Sequence, residues 1–365
     1  MNLIVYLLLP LCLSLLITAL LIPCWIRVCN KWNLYEMTDE RKQHRHRVPT
    51  LGGMAIYAGI IISYLILGQE LSAVQVKYLI AASLILYFTG FFDDLLDLPP
   101  GRKLLLQVLA AGLIAFGGTR ITNLYGIIGI EEIPLFLQYP ITILFIVGIT
   151  NAYNLVDGID GLAGSLGTMS AVIFGVLFYQ YDKIDFAILS FCMAGALIGF
   201  LKYNFHPAKI FMGDTGSLII GFLLASQAIS LLNINEFRGD GITVINPALI
   251  AAVLFVPVYD VLRVSVIRIL TGYSPFRPDR NHVHHMIIGQ GFGQRVTTVL
   301  IVVMNLVFVL LAFLFSSMNI NLFILMSLCI GMITINTLVM TWLAGIYGKL
   351  GGRLYGRPSR AITNS

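Results

Sequence analysis

The sequence predicts an all-α polytopic membrane protein, and three observations support this fold class. The 365 residues are 58% hydrophobic and only 11% charged, which is too little polar surface to cover a soluble globule. Apolar runs of about 17 to 25 residues, the length that crosses roughly 30 Å of hydrocarbon, follow one another along the chain. The connections between these runs are short, so no separate soluble domain is expected.

Window hydropathy and length predict about eleven membrane spans within one transmembrane domain that covers residues 1–365. The predicted spans are 3–26, 51–68, 76–92, 104–118, 140–155, 162–180, 186–203, 215–232, 246–268, 297–316 and 321–345. The first run has no basic start and no small-residue cleavage site, so it is predicted to be a retained anchor. Residues 346–365 are a predicted basic cytoplasmic tail.

The distribution of Lys and Arg predicts the orientation, because cytoplasmic loops carry the excess of these residues. With the N-terminus outside, 19 of the 23 basic residues fall on the inner side of the membrane. The four on the outer side are Lys77, Arg120, Lys183 and Arg238. The C-terminus is therefore predicted to be cytoplasmic.

The carboxylates that could carry chemistry are predicted at or near the cytoplasmic ends of the spans. They are Asp93, Asp94, Asp97, Asp157, Asp160, Asp214, Asp260 and Asp279. An active site, if present, should therefore face the cytoplasm. The five cysteines lie in or beside apolar runs without CxxC spacing, which predicts core packing and no redox pair.

The first polar cluster is Asp93-Asp94-Leu-Leu-Asp97, which closes the third span shortly before Lys103. Adjacent carboxylates repel each other and persist mainly where a divalent cation or a basic partner neutralises them, or where one serves as a base. A solvated helix end is the simpler alternative. The pattern alone is moderately specific, since soluble prenyl synthases use similar aspartate-rich Mg²⁺ sites.

The second cluster ends the fifth span, where Asn154, Asp157 and Asp160 recur every three residues and share nearly one face if helical. Polar groups at membrane depth are costly to desolvate, so such a cluster is expected to face a wet cavity. Gly158 and Gly161 leave room for a ligand, although small residues in membrane helices also serve packing.

The third cluster runs into the eighth span as Gly213-Asp214-Thr215-Gly216-Ser217. Backbone N–H groups, hydroxyls and a carboxylate at a helix start suit a phosphate with its metal ion. The simpler alternative is that Asp214 is only a helix N-cap. The two roles are compatible.

The fourth cluster lies between the ninth and tenth spans and contains Arg277, Arg280, His282, His284 and His285. Imidazole and guanidinium groups together suit a pyrophosphate, which predicts an anion clamp. A zinc site and a plain solvated loop are the alternatives.

Two further features are ambiguous from sequence. The basic tract at residues 41–47 can serve lipid-headgroup anchoring or binding of a substrate phosphate. Pro257 should kink or break the ninth span, after which Asp260 could face the cavity.

Acidic groups able to hold Mg²⁺ and basic groups able to hold phosphates are thus predicted on one face of the membrane. This mixture indicates phosphoryl chemistry between a water-soluble and a lipid-soluble partner. Two other classes stay open: a secondary transporter for a nucleotide sugar or another anion, and an aspartate-rich lipid phosphatase or prenyl-diphosphate enzyme.

The chain resembles the polyprenyl-phosphate N-acetylhexosamine-1-phosphate transferase family, in particular its WecA/TagO branch, to which MraY is related. The resemblance runs from Pro49 to the end of the eleventh span. It rests on an ordered set of motifs along the chain. Pro49-Thr-Leu-Gly-Gly comes first, then the first and second clusters, then Phe211-Met-Gly-Asp-Thr-Gly-Ser, which contains the third cluster, and last the histidines of the fourth cluster.

The resemblance implies Mg²⁺-dependent transfer of N-acetylglucosamine 1-phosphate from UDP-GlcNAc to undecaprenyl phosphate, with release of UMP. Another UDP-N-acetylhexosamine is the alternative donor, and Mn²⁺ the alternative metal. The product would initiate a cell-envelope polymer such as lipopolysaccharide, O-antigen or teichoic acid. A bacterial inner-membrane location and, by analogy, a homodimer are implied as well; a nucleic-acid partner is not expected.

The resemblance also implies roles for individual residues. Asp214 and Asn154 are expected to bind the metal, and Phe211 to stack on uracil. The expected catalytic residues are Asp93, Asp94, Asp157 and Lys103, with Asp93 as base. The other expected substrate-binding residues are Asn204, Asp160, Arg277, Arg280, His282, His284 and His285. Direct attack by the lipid phosphate and a covalent aspartyl intermediate both stay open.

Overall fold

The computed structural model describes residues 4–32, 34, 48–69, 74–127, 129–234, 245–274, 282–314 and 325–327. A π-helical turn, Ile4–Leu8, leads into the first of twelve helices in this part of the chain. The helices are α1 (Leu9–Trp32), α2 (Gly52–Leu67), α3 (Val74–Leu96), α4 (Pro100–Phe116), α5 (Leu135–Val156), α6 (Leu162–Gln180), α7 (Ile184–Asn204), α8 (Gly213–Ile234), α9 (Pro247–Val253), α10 (Phe255–Leu270), α11 (Val283–Gly289) and α12 (Gln294–Leu314).

These helices make the protein a polytopic membrane protein. In the described residues, seven helices are long and apolar enough to cross a membrane, and α9 with α10 adds an eighth if the bent pair is one span. Helices α2 and α4 are shorter and correspond to the predicted second and fourth spans. The basic tail and nearly all of the predicted eleventh span lie outside the described residues, so the count of eleven stays a prediction.

Helix α8 is the centre of the bundle. It packs against α3, α5, α2 and α6, and every residue from Thr215 to Ile229 is buried. A helix that is apolar all round can be surrounded in this way, whereas a helix with one apolar stripe cannot. This central position brings the N-terminal end of α8 against several other helix ends.

The prediction of an all-α fold is wrong in one detail. Residues Asn123–Ile127 (β1) and Ile130–Glu132 (β2) form an antiparallel hairpin between α4 and α5. Gly126 and Gly129 adopt positive φ angles of 79° and 77°, which a tight turn requires and most other residues resist. The hairpin was missed because it is short and its apolar residues merge into the hydropathy of the neighbouring spans.

The predicted ninth span is broken, as Pro257 suggested. The axes of α9 and α10 meet at 73°. The break lies at Leu254, and Pro257 occupies the first turn of α10, where a missing backbone N–H is tolerated.

Candidate active site

Four helix ends meet at one end of the bundle and bring together the residues of the first three clusters. Lys103, in the first turn of α4, binds Asp93 near the end of α3 with an Nζ–Oδ2 distance of 3.1 Å. The same ammonium contacts Asp214 Oδ2 at the start of α8. Asn154, near the end of α5, donates to Asp214 Oδ1 at 2.8 Å and to Ser217 Oγ at 2.9 Å. Residues predicted from separate motifs therefore form one polar centre.

Asp94, the neighbour of Asp93, holds the N-terminus of α8. Its Oδ1 accepts from the Asp214 N–H at 2.7 Å, and its Oδ2 accepts from the Thr215 N–H at 3.0 Å and from Thr215 Oγ1 at 2.6 Å. A carboxylate at a helix N-terminus is stabilised by these otherwise unpaired donors. The cap of α8 is therefore supplied by α3 and not by Asp214, and a catalytic role for Asp94 stays a prediction.

Three glycines allow the close approach that this arrangement needs. A Cβ at Gly90 would lie 2.6 Å from the Asp214 carbonyl carbon, and a Cβ at Gly53 would lie 2.6 Å from Gly216 Cα. Gly213 adopts a φ of 70° directly before the carboxylate cluster. The last glycine of the Pro49-Thr-Leu-Gly-Gly motif is thus explained by backbone packing against the start of α8.

The same motif pairs with the predicted uracil-stacking residue through the backbone. Phe211 N donates to Pro49 O at 2.7 Å, and Gly52 N donates to Phe211 O at 3.0 Å. Phe211 is only partly buried, and it precedes Asp214 by three residues. Stacking on a base stays a prediction.

Two residues predicted to contact uridine make intramolecular bonds. Asn204 is buried; its Oδ1 accepts from Gly161 N at 2.9 Å and its Nδ2 donates to Ile210 O at 2.9 Å. Asp160 Oδ2 lies 2.6 Å from His206 Nδ1 and accepts from Ala208 N at 3.0 Å. Both side chains therefore shape the 205–210 loop, whatever they contribute to a ligand.

The histidine segment is held by Asp260, which is buried within α10. Asp260 Oδ2 lies 2.9 Å from His282 Nδ1, and Oδ1 accepts from Val283 N at 3.0 Å. The rings of His282 and His284 stack at 5.8 Å between centroids, and His285 lies 4.3 Å from His284. Asp260 therefore faces the histidines. The sequence predicts that it lies beyond a break at Pro257, where it could face the cavity.

His284 packs against Gly158, which follows the end of α5. Its Nε2 has no hydrogen-bond partner and lies against Gly158, where an added Cβ would be 2.5 Å away. Asp157 ends α5 beside this contact, only three residues after Asn154. Burial, together with the neighbouring His285, lowers the pKa of His284 to about 4, so the ring is neutral at pH 7.

Several residues of the site were not predicted individually. Gln107 and Asn151 form a reciprocal amide pair, with Asn151 Nδ2 to Gln107 Oε1 at 2.6 Å, one turn deeper in the membrane than Lys103 and Asn154. Ser217 lay inside the third cluster without an assigned role, and His206 had none. Arg277, Arg280 and the basic tract at 41–47 lie outside the described residues.

The donor atoms of the polar centre fit Mg²⁺. Within the described part of the chain, no three His, Cys, Asp or Glu side chains are grouped as a metal site. Mg²⁺ needs fewer protein ligands, since it commonly binds through one or two carboxylates and completes its shell with water and substrate phosphates. Asp214 and Asp93, which both bind the ammonium of Lys103, supply such hard oxygen ligands, and Asn154 donates to Asp214.

A polytopic helical bundle with carboxylates, a lysine and a partly exposed aromatic at one end has the features of an integral-membrane phosphoryl-transfer enzyme. Residues 76–232 match the model of glycosyl transferase family 4. The matched residues run from α3 to α8 and include the whole polar centre.

Curated relatives extend the match over most of the chain. A probable undecaprenyl-phosphate N-acetylglucosaminyl 1-phosphate transferase of Bacillus subtilis is 32% identical over 322 residues, 87% of this chain and 88% of the relative. An undecaprenyl-phosphate alpha-N-acetylglucosaminyl 1-phosphate transferase of Yersinia pestis is 33% identical, and the alignment covers 75% of each chain. A decaprenyl-phosphate N-acetylglucosaminephosphotransferase of Mycobacterium leprae is 33% identical with the same coverage.

The chain belongs to glycosyl transferase family 4, the polyprenyl-phosphate N-acetylhexosamine-1-phosphate transferases. It is a membrane phosphoglycosyltransferase, which confirms the family that the ordered motifs indicated.

Proposed function

We propose that this enzyme transfers N-acetylglucosamine 1-phosphate from UDP-GlcNAc to undecaprenyl phosphate and releases UMP. The observation that carries the proposal is the convergence of Asp93, Lys103, Asn154 and Asp214 at one end of the bundle. The names of the relatives support both the lipid acceptor and the GlcNAc phosphate donor. Another UDP-N-acetylhexosamine is the alternative donor.

In the proposed reaction, a phosphate oxygen of the lipid attacks the β-phosphorus of the nucleotide sugar. The bond between that phosphorus and the bridging oxygen breaks, and UMP leaves with the electron pair. Phosphoryl transfer depends mainly on positioning and on neutralisation of charge, and Lys103 supplies a cation between two carboxylates. Bound Mg²⁺, held by Asp214 with Asn154 beside it, would neutralise the diphosphate.

Asp93 is the best candidate for a base. Its Oδ1 accepts from Leu98 N at 2.8 Å, which fixes the side chain, while Oδ2 faces the ammonium of Lys103. The same oxygen could instead attack the β-phosphorus and form an aspartyl intermediate, so both mechanisms are retained.

We further propose that the site faces the cytoplasm of a bacterial inner membrane, where UDP-sugars are available. The excess of Lys and Arg on that side supports this orientation. The product would start a cell-envelope polysaccharide. A homodimer is proposed by analogy alone.

The test is an assay of purified protein with Mg²⁺, a UDP-sugar and undecaprenyl phosphate, scored for UMP and for lipid-linked sugar. We expect UMP only when both substrates are present, and little of either product from Asp214→Ala. If the enzyme does not use UDP-GlcNAc but turns over another UDP-N-acetylhexosamine, that sugar nucleotide is the donor. No lipid-linked product from any UDP-sugar would refute the proposed reaction.

A further inference from the structure

The broken span has a polar partner in the neighbouring helix α12. Asn305, which is fully buried, donates from Nδ2 to Val253 O at 3.1 Å and accepts at Oδ1 from Val256 N at 3.0 Å. Val253 ends α9 and Val256 lies in the first turn of α10. One carboxamide therefore joins the two sides of a 73° bend.

The sequence explains why this partner is needed. In a continuous helix, Val253 O would accept from the backbone N–H four residues later, but that residue is Pro257, which has none. A buried carbonyl without a donor is costly, particularly inside a membrane protein where water is scarce. Asn305 Nδ2 supplies the nearer of two side-chain donors to this carbonyl, since Ser170 Oγ lies 3.5 Å from it. Asn305 alone also pairs the Val256 N–H on the other side of the break, through its Oδ1.

The bend determines where Asp260 lies. Asp260 is six residues beyond Leu254, which corresponds to about 9 Å along the axis of α10. Removing a 73° bend would displace a point at that distance by on the order of 10 Å, and even a tenth of this shift exceeds the tolerance of about 0.5 Å of a preorganised site. Asp260 in turn fixes His282 and Val283, and His284 follows against Gly158.

We infer that Asn305 is a positioning residue for the donor side of the reaction. By pinning the break between α9 and α10, it fixes Asp260 and thereby sets the histidine segment against the end of α5. Asn305 touches no reacting group. It affects the site only because it fixes the angle at which α10 leaves the break. The kinetic part of this inference rests on the proposed function, whereas the structural part does not.

The structural test uses spin labels on the lipid-exposed faces of α10 and α12. Val266→Cys and Leu310→Cys, in a background without the native cysteines, report the direction of α10. In Asn305→Leu we expect the distance distribution to broaden or shift by on the order of 5 Å or more. A distribution identical to that of the parent would overturn the inference, whether or not the enzyme has the proposed activity.

The kinetic test compares the two substrates. Asn305→Leu should raise KM for UDP-GlcNAc about tenfold or more while KM for the lipid acceptor changes less than about twofold. Gln227→Met is the matched control, because Gln227 is a fully buried carboxamide in α8 whose recorded side-chain bond is to Ser190 on α7 and not to the break. It should leave both KM values near those of the parent. Equal effects of Asn305→Leu on both substrates would overturn the positioning role.

A double variant separates positioning from folding. In Pro257→Ala/Asn305→Leu, residue 257 regains an N–H for Val253 O, so the thermal midpoint should recover while KM for UDP-GlcNAc stays high. Pro257→Ala alone should keep the bend and near-parental kinetics, because Asn305 still pairs both backbone groups. Recovery of activity together with stability would show that Asn305 serves folding only. Failure of the double variant to fold would refute the idea that Asn305 compensates for the backbone N–H that Pro257 lacks.

Discussion

At the scale of single residues, the polar centre is a balance of charge between two carboxylates and one ammonium. Lys103 lies between Asp93 and Asp214, so its removal would leave two acidic groups facing each other. Motif matching found all three residues. It could not show that their charges are shared, because this depends on the packing of α3, α4 and α8.

Replacing Lys103 by Met should lower kcat by about 10²- to 10³-fold, because the charge that offsets the phosphates is lost. Steady-state rates of lipid-linked product measure this effect. Lys202→Met is the control, since Lys202 is exposed at the end of α7. A Lys103→Met enzyme with parental kcat would contradict the proposed role of the ammonium.

Asp94→Asn should destabilise the fold by about 1 to 3 kcal/mol, because an amide offers one acceptor where three donors of Asp214 and Thr215 converge. Thermal unfolding in detergent provides the measurement. Asp97→Asn is the matched control, since Asp97 is the exposed third aspartate of the same motif. Equal midpoints for the two variants would argue against the capping of α8 by Asp94.

The pH dependence of the unfolding free energy should reveal the lowered pKa of His284. Its pKa is about 4 in the folded protein against 6.5 when exposed, so between these values the unfolded chain binds a proton that the folded chain does not. Stability is therefore lost as pH falls through this window, by up to about 1.4 kcal/mol per pH unit. The difference in unfolding free energy between parent and His284→Gln should shrink from pH 7 to pH 4.5. A constant difference would mean that His284 titrates normally.

At the scale of elements, the approach of α2 and α3 to the start of α8 depends on glycine. Gly53 and Gly90 lie where any Cβ would meet backbone of α8, and backbone cannot move aside as a flexible side chain can. The glycines were visible in the sequence. Their partner was not, because small residues in membrane helices pack against whichever helix lies closest.

Gly90→Ala should therefore reduce the yield of folded protein sharply and lower its thermal midpoint. Gly148→Ala is the control, because a Cβ at Gly148 in α5 meets no atom within 4 Å, and Ala favours helix by about 1 kcal/mol. Size-exclusion profiles and unfolding curves give the comparison. Similar behaviour of the two variants would show that α3 does not approach α8 so closely.

At the scale of the whole molecule, the described helices place the polar centre at one end of the bundle and the β1–β2 hairpin between the opposite ends of α4 and α5. The orientation predicted from Lys and Arg would put the hairpin outside and the centre inside. Glu131→Cys in β2 and Gly293→Cys before α12, both exposed, distinguish the two sides.

In a cysteine-free background, a membrane-impermeant maleimide added to intact cells should label Glu131→Cys and leave Gly293→Cys unlabelled until the membrane is opened. The reverse pattern would invert the topology and place the site away from cytoplasmic UDP-sugars. Labelling after permeabilisation controls for accessibility of each thiol.

The sequence by itself determined the membrane class, most of the helices and the identity of the polar centre. Hydropathy is a sum over neighbouring residues, and desolvated carboxylates are rare enough in apolar segments to stand out without coordinates. The polar clusters of Asp93, Asn154 and Asp214 were found in this way, and the resemblance to the family added Lys103.

Only the tertiary structure decided which groups each side chain bonds. The motifs did not show that Asp94 caps α8 or that Asn204 bonds the backbone, and the roles predicted for these two residues in catalysis and uridine binding stay predictions. Asn305 drew no attention, although it spans the break beside Pro257. A hydrogen bond joins atoms that are distant in sequence and depends on distances of a few tenths of an ångström, which no local pattern of residues encodes.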